Sequence, residues 1–160
     1  MAAFSGWNAP AITPARKISG ALAAGCSVVI KPSEETPAVA LAIADAVQDS
    51  GLPDGVLNVL FGDPGLISTA LLAAPQVRMV TFTGSTEVGR QLGERAARTM
   101  KRATLELGGH APVLVFADAD PEAVASAAVA AKYRNAGQVC TSPTRFLVHE
   151  SIVARFRARF

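Results

Sequence analysis

Met79-Val80-Thr81-Phe82-Thr83-Gly84-Ser85-Thr86-Glu87-Val88-Gly89 is the stretch that decides the fold. Residues 79–82 form a short apolar run suited to a buried strand, and the alanine-rich segment 86–99 suits a helix. Ser85 stands between them, where a serine caps a helix start. The same alternation extends both ways. Apolar runs at 28–30, 56–60 and 104–107 have strand length and are bounded by Gly, Pro or charge. Helical segments are expected at 14–24, 37–50 and 65–74. Thr36, Pro37 and Gly51 punctuate the second of these as cap, first turn and stop. Strands alternating with helices predict an α/β fold with a parallel sheet, its strands buried on both faces. No strand is expected before Trp7. Beyond Gly108-Gly109 the pattern continues with a strand at 112–116, an acidic turn at Asp118-Ala119-Asp120-Pro121 and a helix at about 121–135. A strand at 145–149 and a helix from about Ser151 complete it.

Composition narrows the classes of function. The chain has 160 residues, 50% hydrophobic and 18% charged, enough apolar material for a buried core. A net charge of +2, scattered along the chain, gives no reason to expect a nucleic-acid or membrane partner. No apolar run approaches the ~20 residues that span a bilayer, and no secretion signal opens the chain. Free thiols at Cys26 and Cys140 and a cytoplasmic location are therefore expected. Two histidines support no metal site.

Two Gly-flanked motifs carry reactive groups: Leu105-Glu106-Leu107-Gly108-Gly109 and Gly137-Gln138-Val139-Cys140. A thiol with a carboxylate suits covalent chemistry at a carbonyl carbon, sulfur as nucleophile and carboxylate as base. Each residue also has a plainer reading. Cys140 could be a small buried hydrophobe. Glu106, between two leucines, could point to solvent from a strand whose leucines point inward, or be buried, which would strengthen it as a base. The glycine fingerprint of dinucleotide-binding folds, Gly-x-Gly-x-x-Gly, is absent. Residues 84–89 still place a glycine and a serine between a strand and a helix N-terminus, where a pyrophosphate can bind.

Five motifs in order, Trp7-Asn8-Ala9-Pro10, Lys31-Pro32-Ser33-Glu34, Phe82 to Gly89, Leu105 to Gly109 and Gly137 to Cys140, resemble those of the NAD(P)-dependent aldehyde dehydrogenases. The resemblance runs from about Trp7 to Phe160 and is nearest the succinate-semialdehyde branch. It implies a parallel Rossmann-like cofactor-binding sheet over 1–107, leading into the start of an α/β catalytic domain over 108–160. It implies Cys140 as nucleophile, Glu106 as general base and Asn8 as an oxyanion donor. Trp7, Lys31, Glu34, Gly62, Gly84, Ser85 and Leu107 are implied at the cofactor, and Arg16 at a substrate carboxylate. The implied cofactor is NAD, because a carboxylate at Glu34 would repel a 2′-phosphate; NADP remains the alternative. The implied partners are a small aldehyde and, in the full-length enzyme, further copies of the chain.

The chain departs from the family at Ala9, where an aromatic is usual, and at Ser142, where some members carry a second thiol. Family members run to roughly three times this length, and both ends read as cut, so a fragment, inactive alone, is expected. The competing readings are a coenzyme A-acylating relative, a non-catalytic remnant that binds nucleotide or a partner chain, and a thiol-redox protein.

Overall fold

The computed structural model describes all residues, 1–160, as two compact units, Met1–Leu107 and Gly108–Phe160.

The first unit is built on a five-stranded, all-parallel sheet: β1 (Ala2–Phe4), β2 (Val28–Lys31), β3 (Leu57–Val59), β4 (Met79–Gly84) and β5 (Arg102–Leu107). Helices α1 (Ile12–Ala23), α2 (Pro37–Asp49), α3 (Pro64–Ala73) and α4 (Thr86–Arg98) connect them in turn. The strand order is β3-β2-β1-β4-β5. The chain thus winds outward from β1 to one edge, returns to its other side at β4, and ends at the opposite edge.

Alternation along β1 divides the core. Ala2 and Phe4 face one side with Val80, Phe82, Leu72, Leu92 and Ala96, beneath α3 and α4. Ala3 faces the other with Val28, Ile30, Ile18 and Ala21, beneath α1 and α2. Val28, Ile30 and Val80 are wholly buried; each such side chain contributes about 1.5–3 kcal/mol. Gly89 of α4 lies directly against the Leu107 side chain of β5, which a Cβ there would have to displace.

Local chemistry explains the helix starts. The side chains of Asp63, Ser85 and Asp120 cap their helices by accepting from Leu66, Val88 and both Glu122 and Ala123 N–H groups. The bonds to Asp120, from Ala123 foremost, hold its carboxyl below the usual carboxylate range. In α4, Glu87 in the first turn and Arg95 and Arg98 in the last complement the helix dipole.

Three expectations require correction. Residues 2–4 form the middle strand of the sheet, although no strand was expected before Trp7. Three residues, two of them alanine, carry almost no pattern; pairing on both sides makes them a strand. Thr36 stands before α2 but makes no side-chain cap bond, so Pro37 opens that helix without one. Burial on both faces holds for the inner strands only. β5 is an edge strand, and Arg102, Ala103, Thr104 and Glu106 are exposed along it.

The second unit is a β–α–β crossover. Strands β6 (Val113–Val115) and β7 (Phe146–Val148) pair in parallel through helix α5 (Pro121–Tyr133), and α6 (Val153–Arg159) follows. Its core joins Val115, Ala125, Ala128, Ile152 and Phe156. Phe146, Phe156 and Phe160 cluster with ring centres 5.0–5.9 Å apart. Arg155 grips Glu122 with two hydrogen bonds of 2.7 and 2.8 Å, fastening α6 to α5. Leu114, Phe116 and Leu147 are left exposed around a shallow concavity of about 640 Å³ whose lining does not include Cys140.

Candidate active site

In the first unit the motif residues gather at one edge of the sheet. Trp7 and Asn8 follow β1, Lys31 ends β2 with Glu34 just beyond, and Gly62 follows β3. Gly84 ends β4 with Ser85 next, and Glu106 and Leu107 end β5. In open α/β sheets this carboxyl-terminal edge is where ligands bind, at the point where strand order reverses. Here that point lies between β1 and β4.

The cofactor candidates are held in different ways. Lys31 is only 6% exposed, and its ammonium pairs with Glu34 and donates to the Pro32 carbonyl at 3.1 Å. The Lys31 hydrogen bond holds the Glu34 carboxyl below the usual carboxylate range. Glu34 itself is about half exposed, so it keeps lone pairs for an incoming hydroxyl. Ser85 Oγ accepts from Val88 N–H at 3.3 Å, which leaves its own proton to donate. It stands at the N-terminus of a 13-residue helix, a setting that favours anions. Gly62 has φ of 135° in the turn before α3. The Leu107 side chain packs into the core beneath α4, so only its backbone faces the edge. These residues fit a dinucleotide: an acceptor for hydroxyls at one strand end and a helix N-terminus for phosphate at another.

Glu106 is exposed, a correction to the burial its two leucines suggested. Leu105 and Leu107 pack against the core under α4, and Glu106 projects to the opposite face, level with Thr83 of β4. That face also bears Lys17. From α1, Lys17 Nζ reaches across the sheet to Thr81 Oγ1 at 2.9 Å. Burial pushes its ammonium down from the usual 10.5 to about 8, while the charge of Glu106 pulls it back up. Perturbed groups beside a candidate base are a mark of active sites. Lys17 belongs to none of the motifs. Its signal lies in helical spacing. Pro14, Ile18 and Ala21 form the buried stripe of α1, and Lys17 occupies the i+3 place in it. Arg16, its neighbour, is exposed, as is half of Trp7.

The depressed value has a consequence for stability. Between about 8 and 10.5 the unfolded chain binds a proton that folded Lys17 has released. Stability from this group therefore rises with pH through that window and is flat below it. Lys17→Met should lose the rise. Urea midpoints taken at pH 7, 9 and 10.5 check this; an equal rise in both proteins would refute it.

Cys140 lies in the second unit, exposed, with a free thiol like Cys26. It is not the buried hydrophobe of the plainer reading. The chain reaches it from α5 through a short 3-10 turn, Arg134–Gly137. Asn135, Ala136 and Gly137 have φ of 51°, 55° and 78° in succession. Glycine and asparagine tolerate this left-handed region, so the backbone cost falls on Ala136. After Cys140, Ser142 and Pro143 are buried, and Thr144 bonds the His110 carbonyl through both its N–H and hydroxyl.

All 160 residues match the profile of the aldehyde dehydrogenase family. The chain belongs to that family. It is 54% identical over 156 residues to the 4-(hydroxymethyl)benzenesulfonate dehydrogenase TsaD1 of Comamonas testosteroni, covering 98% of this chain and 33% of that protein. It is 47% identical over 155 residues to the NADP(+) succinate-semialdehyde dehydrogenase GabD of Escherichia coli K12, covering 97% and 32%. Its fold matches the crystal structure of succinate-semialdehyde dehydrogenase from Burkholderia pseudomallei with a TM-score of 0.95 at 51% identity, over 99% of this chain and 33% of that one. The chain thus spans about a third of the length of these aldehyde dehydrogenases. No helix is long and apolar enough to cross a membrane.

Proposed function

We propose that this protein is a cytoplasmic aldehyde dehydrogenase that oxidises an anionic semialdehyde to the acid with NAD as preferred cofactor. The observation that carries the reading is the convergence of Asn8, Glu34, Ser85 and Glu106 on the carboxyl-terminal edge of one parallel sheet. The Met1–Leu107 unit would hold the dinucleotide, with Ser85 and the α4 N-terminus at phosphate and Glu34 at the ribose hydroxyls. The Lys31 ion pair keeps Glu34 ionised, an acceptor for a 2′-hydroxyl and a repellent for a 2′-phosphate. Preference for NAD follows from that charge.

Cys140 attacks the aldehyde carbon, and the carbonyl oxygen becomes a tetrahedral oxyanion. Asn8 and the Cys140 N–H would donate to that oxygen, support worth ~3 kcal/mol at such sites. The thiol gives up its proton as sulfur attacks, a bound cofactor would supply the hydride acceptor, and the oxyanion that loses hydride alone is left as a thioester on sulfur. Glu106 then takes a proton from water, which attacks the thioester, releases the acid and regenerates the thiol. Arg16 would bind the remote anionic group through its two-pronged guanidinium. A carboxylate and a sulfonate, the groups named in the similar proteins, both present that geometry.

The test is nicotinamide fluorescence with the complete protein, NAD or NADP, and succinate semialdehyde, a sulfonated benzaldehyde or benzaldehyde. Turnover should be fastest with an anionic aldehyde and NAD. Fluorescence that stays at the aldehyde-free rate with every pair would rule the function out.

A further inference from the structure

One carbonyl oxygen organises the segment around Cys140. Lys132 lies in the last turn of α5, where helix carbonyls run out of intrahelical donors. Past the left-handed residues, Gly137 returns over this carbonyl so closely that a Cβ would sit 3.3 Å from its oxygen. Ser142 then donates its Oγ hydrogen to the same oxygen over 2.9 Å. Ser142 is only 3% exposed. Its backbone N–H donates to the Val139 carbonyl at 2.9 Å, closing a four-residue turn in which Cys140 is the second residue. The exposed thiol is therefore carried on a turn whose far end is buried and tied to the helix by one hydroxyl.

We propose that Ser142 is a positioning residue for the Cys140 thiol, an inference that rests on Cys140 being the nucleophile as proposed above. The hydroxyl acts through the turn and touches no reacting atom. Without it, the Lys132 oxygen loses the Ser142 hydroxyl, and the turn loses this side-chain tie to the helix while keeping its Ser142 N–H to Val139 bond. The thiol then samples orientations in which it cannot meet the carbonyl carbon. Attack requires near-contact geometry, so this loss falls on the chemical step and not on substrate binding.

The experiment compares the complete protein with Ser142→Ala, which adds no volume, and Ser142→Thr, which keeps the hydroxyl. Amide hydrogen exchange and steady-state kinetics are read on all three. In Ser142→Ala, exchange at Cys140 and Thr141 should quicken by about tenfold, the scale of one lost hydrogen bond. Its kcat should fall about 10- to 100-fold while KM changes less than about threefold. Ser142→Thr should restore both. Unchanged exchange in Ser142→Ala overturns the proposal. Faster exchange with kcat unchanged also overturns it, because the hydroxyl would then serve stability alone. If the unsubstituted protein has no aldehyde-dependent turnover, the functional reading fails and the positioning role with it. The exchange arm then still decides whether Ser142 fixes the turn.

Discussion

Cys140→Ala in the complete protein should lower aldehyde-dependent NAD(P)H formation by about 10⁴-fold or more. A methyl group cannot form the bond to the carbonyl carbon, and no partial substitute is at hand. Cys26 is an exposed thiol too, but it follows α1 in the Met1–Leu107 unit and bonds only weakly to the Ala24 carbonyl, at 3.8 Å. Cofactor affinity should be unaffected, because the cofactor candidates belong to the other unit. Titration of NAD binding alongside the rate assay separates the two effects. A variant that keeps a tenth or more of parental kcat would place the nucleophile elsewhere.

Glu106→Gln should leave the first turnover fast and slow the following ones by about 10²- to 10⁴-fold. Glutamine keeps the shape of the side chain but cannot take a proton from water. The thioester would then form with one equivalent of NAD(P)H and persist. Rapid-mixing kinetics should record that burst, and mass spectrometry the acyl group on Cys140. A second effect follows from the charge. Glu106 is what pulls the Lys17 ammonium upward, so its loss should lower Lys17 further below about 8. Steady turnover at the parental rate without a burst would remove Glu106 from the role of base.

Some elements were legible because their signals are local. Ser85, Pro37 and Asp120-Pro121 mark helix starts within a few residues, and α4, α2 and α5 begin there. The Gly51 stop also holds, with φ of 76° just past α2. The paired leucines around Glu106 left two faces open, because alternation in a strand states which residues go together and not which way they point. Packing of Leu105 and Leu107 under α4 decided it. Lys31 and Glu34 were legible as a charged cluster; burial of the lysine down to 6% exposure was not. β1 and Lys17 were invisible for one reason. Ala2–Phe4 is a strand because β2 and β4 flank it, and Lys17 matters because β4 and Glu106 lie across from it.

From sequence alone came the alternation of strand and helix, the Ser85 cap, and the five motifs whose residue types imply thiol chemistry at a carbonyl. These depend on contacts within a few residues or on side-chain chemistry itself, so order along the chain suffices. Tertiary structure alone decided the strand order β3-β2-β1-β4-β5, which collects residues from Trp7 to Leu107 along one edge. It alone set the exposure of Glu106, the depressed Lys17 ammonium and the Ser142 bond that ties the Cys140 turn to its helix. Each of these is a property of surroundings supplied by residues distant in sequence, through burial, charge and hydrogen bonding that exist only once the chain has folded.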